Sequence, residues 1–245
     1  MTLPLHVESL GTGGLPVLFA HSFAGDSSHW HATMEHLKAH RRVVAFDFSG
    51  HGKSPGAVSG YSIPELAKDV AEVADSAQLP AFVLVGHSMG AAVATEYAGS
   101  HASRVKALVL VDPPPAPGAI PADQLQQLRA AVARDPVPVI EQFWSQQMFI
   151  DSRDEVKQRL LAGLRRMTRK AAGELTDASL DYDARPALIR YGGPKFAIVT
   201  ARNDAPLSLH HAVPGFRHSV IRGTGHWIQL DKPDEFNKTL DGCLN

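Results

Sequence analysis

The chain has 245 residues, a formal net charge of -1, 44% hydrophobic residues and one cysteine, Cys243. That length holds one sizeable domain, or a core domain carrying an insertion, and can bury a full core without disulfides or metals. The near-neutral charge removes the electrostatic case for nucleic acid or an anionic membrane surface, and a single cysteine excludes an internal disulfide or a multi-cysteine zinc site.

At the start, residues 1–8 lack a basic stretch followed by an apolar one, and no apolar run approaches the roughly 20 residues of a membrane helix, so a cytoplasmic protein is expected. Residues 5–10 alternate as a strand does. After a glycine turn at 11–14, residues 15–20 read as a buried strand ending at His21. A polar loop follows, with Ser27 or Ser28 as cap of a helix over 29–40 and Trp30 in its first turn. Residues 43–47 form the next strand. Residues 63–77 carry Leu66, Val70, Val73 and Ala77 at helical spacing, with Pro64 in the first turn.

Residues 81–85 are an apolar run entering Gly86-His87-Ser88-Met89-Gly90, and 91–97 read as a helix. Strand, sharp turn, then helix is the context that gives Gly-x-Ser-x-Gly its meaning, because the turn pushes the serine hydroxyl clear of the sheet. Another apolar strand over 105–111 ends at Asp112. Short β-branched runs alternating with helices predict an α/β fold with a mainly parallel sheet buried on both faces.

The rhythm changes at Pro113-Pro114-Pro115-Ala116-Pro117-Gly118, and from 122 to about 180 the pattern is helical. Three apolar stripes appear there: Leu125, Leu128 and Val132; then Val139, Ile140, Phe143 and Trp144, with Met148 and Phe149 beyond; then Val156, Leu160, Leu161, Leu164 and Met167. The expected organisation is a core of 1–112 and 195–245 with a helical insertion and return at 113–194. Sheet pattern resumes at 195–200. A short helix over 206–213, a strand over 218–222, a glycine-flanked loop at 223–227 and a helix over 231–244 complete the chain, with Asp231 as the expected cap of the last.

A serine hydroxyl needs a base, and the base needs a carboxylate to hold its tautomer. Among 13 histidines, His226 stands out by its place in the loop after the last strand. Asp204, in the loop after the preceding strand, is the preferred acid, and the order Ser88, Asp204, His226 is the one used with this elbow. Asp112 is the alternative acid. Backbone N–H groups of Met89 and Phe23 are the candidate oxyanion donors, with Ser22 second to Phe23. Phe143, Trp144, Met148 and Phe149 are candidate pocket walls, and Ser22, Trp30 and Trp227 are further candidate substrate contacts.

Gly52-Lys53-Ser54 lacks the glycine a phosphate-binding loop needs five positions earlier, where Asp47 stands. His36 and His40 share a helix face without a third ligand, and His210-His211 reads as a solvated pair, so no metal and no cofactor is expected.

Taken together, residues 21–25, 47–54, 86–90, 201–204 and 223–227 resemble the α/β-hydrolase superfamily, in its small, lidded, cofactor-free branch of esterases and lactonases. The resemblance implies an α/β-hydrolase fold with a helical cap after Asp112, and Ser88, His226 and Asp204 as nucleophile, base and acid. It also implies a small ester or lactone substrate handled by a monomer or homodimer. Serine at 88 separates the chain from relatives with an aspartate nucleophile, and His21-Ser22 departs from the family's usual His-Gly. The same triad would equally serve hydrolysis of a C–C bond in a diketone, amide or thioester cleavage, or acyl transfer. A ligand receptor with little catalysis is the reading from another class.

Overall fold

The computed structural model describes residues 4–57, 59–118 and 120–244. The start of the 1–8 segment therefore lies outside the described residues. Runs that are apolar at every position become strands with both faces covered: β2 (Val17–Ala20), β3 (Val43–Phe46), β4 (Phe82–His87) and β5 (Val105–Val111). β1 (Val7–Leu10) alternates between partly buried and exposed positions and pairs antiparallel with β3. With β6 (Lys195–Thr200) and β7 (Phe216–Ile221), the sheet order is β1-β3-β2-β4-β5-β6-β7, parallel everywhere except at β1.

Successive side chains of a strand point to opposite faces, so each strand feeds two cores. Leu18, Phe46, Leu84, Leu108 and Leu110 face one core, shared with α2 (Ile63–Ser76), α3 (Met89–Ser100) and α8 (Arg185–Arg190). Val17, Phe19, Val85, Val109 and Ile198 face the other, covered by α1 (His31–Leu37) and α11 (Pro233–Leu244). Between β5 and α8 the chain forms α4 (Ala122–Arg134), α5 (Pro136–Phe143), α6 (Asp154–Arg166) and α7 (Arg169–Asp181), with a π-helical turn at Trp144–Met148. α5, α6 and α7 share a third cluster around Ile140, Trp144, Leu160 and Leu164, and α4 packs on α5 and α7. α8 instead packs on α3. Among the described residues no helix is long and apolar enough to cross a membrane.

Three local expectations are corrected. The helix expected over 29–40 begins as a 3-10 turn, Ser27–Trp30, and its cap is Asp26, whose carboxylate accepts the Ser28 N–H at 3.0 Å. Trp30 is fully buried against Phe19 and Phe236, with ring centroids 4.9 and 6.1 Å away, so it belongs to the core rather than to a substrate pocket. Asp231 does not cap the last helix. It ends a separate short helix, α10 (Ile228–Asp231), and its buried carboxylate is used elsewhere.

His21, His29, His51 and His87 are buried. Burial, the largest cause in each, lowers all four pKa values, and pushes His29 and His51 down to about 3 from 6.5. Between those limits the unfolded chain binds more protons than the folded one. Stability therefore falls as pH drops from about 6.5 and is flat above it, with each such histidine adding up to about 1.4 kcal/mol per pH unit. Urea titrations from pH 7.5 to 5 should show this loss, and His51→Gln should make the slope below pH 5.5 shallower by about 1.4 kcal/mol per pH unit. Parallel slopes would mean that His51 is protonated in the fold.

Candidate active site

β4 ends at His87 and α3 begins at Met89, so Ser88 alone makes the turn. Its backbone lies at φ 54° and ψ -118°. A serine there costs of order 1–3 kcal/mol and persists only where its surroundings enforce it. They do so by close approach. A Cβ on Gly86 would stand 2.3 Å from the Gly90 carbonyl oxygen, and one on Gly90 would stand 2.4 Å from that of His21. The Ser88 N–H donates to Val111 O at 3.0 Å, which locks the turn to β5. Met89 opens α3, where first-turn N–H groups have no intrahelical acceptor.

His226 sits in the loop after β7. Its Nδ1 donates to Asp112 Oδ2 at 2.6 Å; Asp112 is buried and His226 partly buried. The other carboxylate oxygen, Asp112 Oδ1, accepts from Thr200 N at 2.8 Å and Thr200 Oγ1 at 3.1 Å. The pairing of His226 with Asp204 is thus corrected: the carboxylate on the histidine is Asp112. Asp204 lies further along the loop after β6, where its Oδ1 accepts from His211 Nε2 at 2.7 Å and His210 Nε2 at 3.1 Å. The physical reason is the bond from Asp112 N to Ile198 O at 2.8 Å, which extends the β5–β6 ladder one residue and sets Asp112 beside Thr200. Among the described residues His226 Nε2 has no hydrogen-bond partner.

Three contacts hold the His226 backbone. His226 N donates to Met148 O at 3.0 Å. His87 Nε2 donates to His226 O at 3.0 Å, with Gln229 Nε2 donating to His87 Nδ1 at 3.2 Å, so one neutral tautomer of His87 serves both bonds. Asp231 accepts from Ser152 Oγ at 2.9 Å, Arg153 N at 3.0 Å and Gly225 N at 3.1 Å, which ties the segment after the π turn to the histidine loop. Sequence reasoning missed His87, Gln229 and Asp231. The first two signals were a histidine inside the elbow and a glutamine on an otherwise apolar helix turn.

Ser88, Asp112 and His226 open into a cleft of about 820 Å³. Ser22, Phe23, Met89, Phe143, Trp144, Met148 and Trp227 are among the residues that line it. The Ser22 hydroxyl is buried and accepts from Trp227 Nε1 at 3.0 Å, so it fixes a wall. Phe149 is not in the lining. It packs behind Trp144 and Trp227, centroids 5.9 and 5.4 Å away. Trp30 is absent from the lining as well. Leu128, Val132, Val139 and Ile140, seen in the sequence only as helix stripes, complete the apolar wall.

Residues 17–239 match the sequence model of the alpha/beta hydrolase family. The chain belongs to that family. The chain is 30% identical over 241 residues to the dihydrolipoyllysine-residue acetyltransferase component of the acetoin cleaving system of Pseudomonas putida, covering 94% of this chain and 63% of the relative. The chain thus spans less than two thirds of that protein. It is 24% identical over 254 residues to 3-oxoadipate enol-lactonase 2 of Acinetobacter baylyi, covering 98% and 92% of the two chains. Among solved structures, the esterase from Exiguobacterium antarcticum superposes with a TM-score of 0.84 at 22% identity, covering 98% and 95%. That likeness shows the fold.

Asp231→Ala in this hydrolase leaves buried donors of two segments without an acceptor, at a cost of about 3 kcal/mol. Differential scanning calorimetry should show Tm lower by about 6–12 °C. A fall under about 2 °C would mean that the tie contributes no net stability.

Proposed function

We propose that the chain is a serine hydrolase of a small, partly apolar carboxylic ester or lactone, with Ser88 as nucleophile, His226 as general base and acid, and Asp112 as the orienting carboxylate. The observation that carries this reading is the 2.6 Å contact between His226 Nδ1 and Asp112 Oδ2, in a cleft shared with a serine held at a positive φ. With Nδ1–H donated to Asp112, the lone pair of His226 lies on Nε2, the nitrogen that takes the serine proton. Ser88 Oγ bonds to the substrate carbonyl carbon as its proton passes to Nε2. The N–H groups of Met89 and Phe23 stabilise the oxyanion. Nε2 returns the proton to the leaving oxygen as the C–O bond breaks, leaving an acyl-serine. Water then repeats the sequence, yielding the acid and free Ser88.

A cleft of about 820 Å³ falls in the range of small-molecule sites, and its wall of Phe143, Trp144, Met148 and Val132 favours a substrate with an alkyl or aromatic part. A second reading is acyl transfer, in which an alcohol or thiol replaces water as acceptor. The similarity to the Pseudomonas putida acetyltransferase component supports it.

Mass spectrometry after a fluorophosphonate probe should show one adduct, on Ser88, absent in Ser88→Ala; unlabelled Ser88 in folded protein overturns the proposal. Asp112→Asn should lower kcat on an activated ester by about 10³–10⁴-fold and far more than Asp204→Asn does. The reverse order would return the acid to Asp204. Acyl product on an added thiol or alcohol, exceeding the free acid, would select transfer over hydrolysis.

A further inference from the structure

Away from the cleft, three elements bring four potential ligands together. Asp204 comes from the loop after β6, His210 and His211 from α9 (Leu209–Ala212), and His218 from β7. The Nε2 atoms of His211, His210 and His218 stand 2.7, 3.1 and 3.9 Å from one oxygen, Asp204 Oδ1. One ligand atom from each of the four residues lies within 4.8 Å of all the others. The rings crowd accordingly, with centroids 4.2 Å apart for His210–His211, 4.7 Å for His210–His218 and 5.3 Å for His211–His218.

The ordinary account is an ion-paired cluster in which protonated imidazoles share Asp204. It fits poorly. Three cations around one carboxylate repel each other, and the His210 side chain has no exposure to solvent. Burial, the largest cause, lowers the pKa of His210. Its Nδ1 has no partner among the described residues, so no hydrogen bond on that side fixes its tautomer. His210 Nε2 now carries the proton donated to Asp204 Oδ1, and the tautomer with that proton on Nδ1 turns the Nε2 lone pair toward the point on which the other two rings converge. The hydrogen bonds from His210 and, next, His211 lower the pKa of Asp204, which stays ionised.

We propose that Asp204, His210, His211 and His218 form a binding site for a divalent late first-row transition metal, for which Zn²⁺ is the probe. Three imidazoles and one carboxylate are a donor set that suits this class, and tetrahedral Zn²⁺ takes such ligands at about 2.0–2.1 Å. Tetrahedral ligands at that length stand about 3.3 Å apart. Reaching that spacing needs small side-chain shifts, and His211 and His218 are free to make them, with 41% and 36% of their side chains exposed. Ligation through Nε2 moves the proton that now bridges to Asp204 onto Nδ1 of a neutral imidazole, and releases one proton only from an imidazolium. The metal would cross-link the loop after β6 to the edge strand β7, and that loop begins at Thr200, the donor to Asp112. The site does not depend on the proposed reaction.

The test is isothermal titration of ZnCl₂ into the untagged, EDTA-stripped protein at pH 7.5, beside thermal unfolding. The expected result is one Zn²⁺ per chain with a Kd below about 10 µM, and a rise in Tm of about 5 °C or more at saturation. Mg²⁺ at the same concentration should give no rise. His211→Ala and His218→Ala should each weaken Zn²⁺ at least about tenfold while unfolding cooperatively, whereas His36→Ala should not. Co²⁺ should give the visible bands of a tetrahedral site, lost in the same two variants. A wild-type Kd above about 10 µM, or an affinity unchanged in the His211→Ala/His218→Ala double variant, overturns the proposal.

Discussion

The parallel ladder between β5 and β6 determines where the chemistry of this chain stands. Val111 pairs with Ile198, and the next residue, Asp112, still donates its N–H to Ile198 O. That extra bond brings the Asp112 carboxylate to Thr200, whose N–H and hydroxyl hold one oxygen and leave the other for His226. Asp112 has φ 40°, unfavourable for a residue with a Cβ, and its several bonds offset the cost. Ser88 is tied to the same strand end through Val111 O. Two strained residues on adjacent strands are thus fixed by a ladder buried on both faces.

The helical insertion supplies the other half of the site. It brings an apolar wall against a polar floor, in which the hydrogen bond between His226 and Asp112 is already made. Trp144, Phe149 and Trp227 pack on one another, and the Trp227 ring lies edge-on to His226 with centroids 4.9 Å apart. In such surroundings a hydrogen bond of 2.6 Å is stronger than it would be in water.

Much of this was legible in the sequence. The strands show as continuous β-branched runs because both of their faces are covered. The elbow shows because Gly86 and Gly90 stand where a Cβ would collide with backbone. His226 shows because glycines flank it in the last loop. Asp112 and Asp204 could not be separated in the same way. Both follow a strand end, and both satisfy the order serine, acid, histidine. Choosing between them needs the position of the histidine loop relative to two strand ends, which is a tertiary fact. Trp30 and Phe149 were misjudged because an aromatic on a helix stripe does not declare which side it will face. The pair His210-His211 read as solvated because nothing local announces that Asp204 and His218 return to it.

Asp231 has a consequence for how a substrate reaches Ser88. Its carboxylate bonds Ser152 and Arg153 on one side and Gly225 on the other, while Met148 O accepts the His226 N–H. The inner margin of the insertion and the histidine loop therefore move as one piece. A hinged swing of that margin would drag His226 off Asp112 and disarm the site during entry. Leu128 of α4 and Thr176 and Leu180 of α7 also line the cleft, and none of them takes part in this tie. Under the proposed function, a substrate that leaves this tie intact would meet the side chains of α4 and α7 instead.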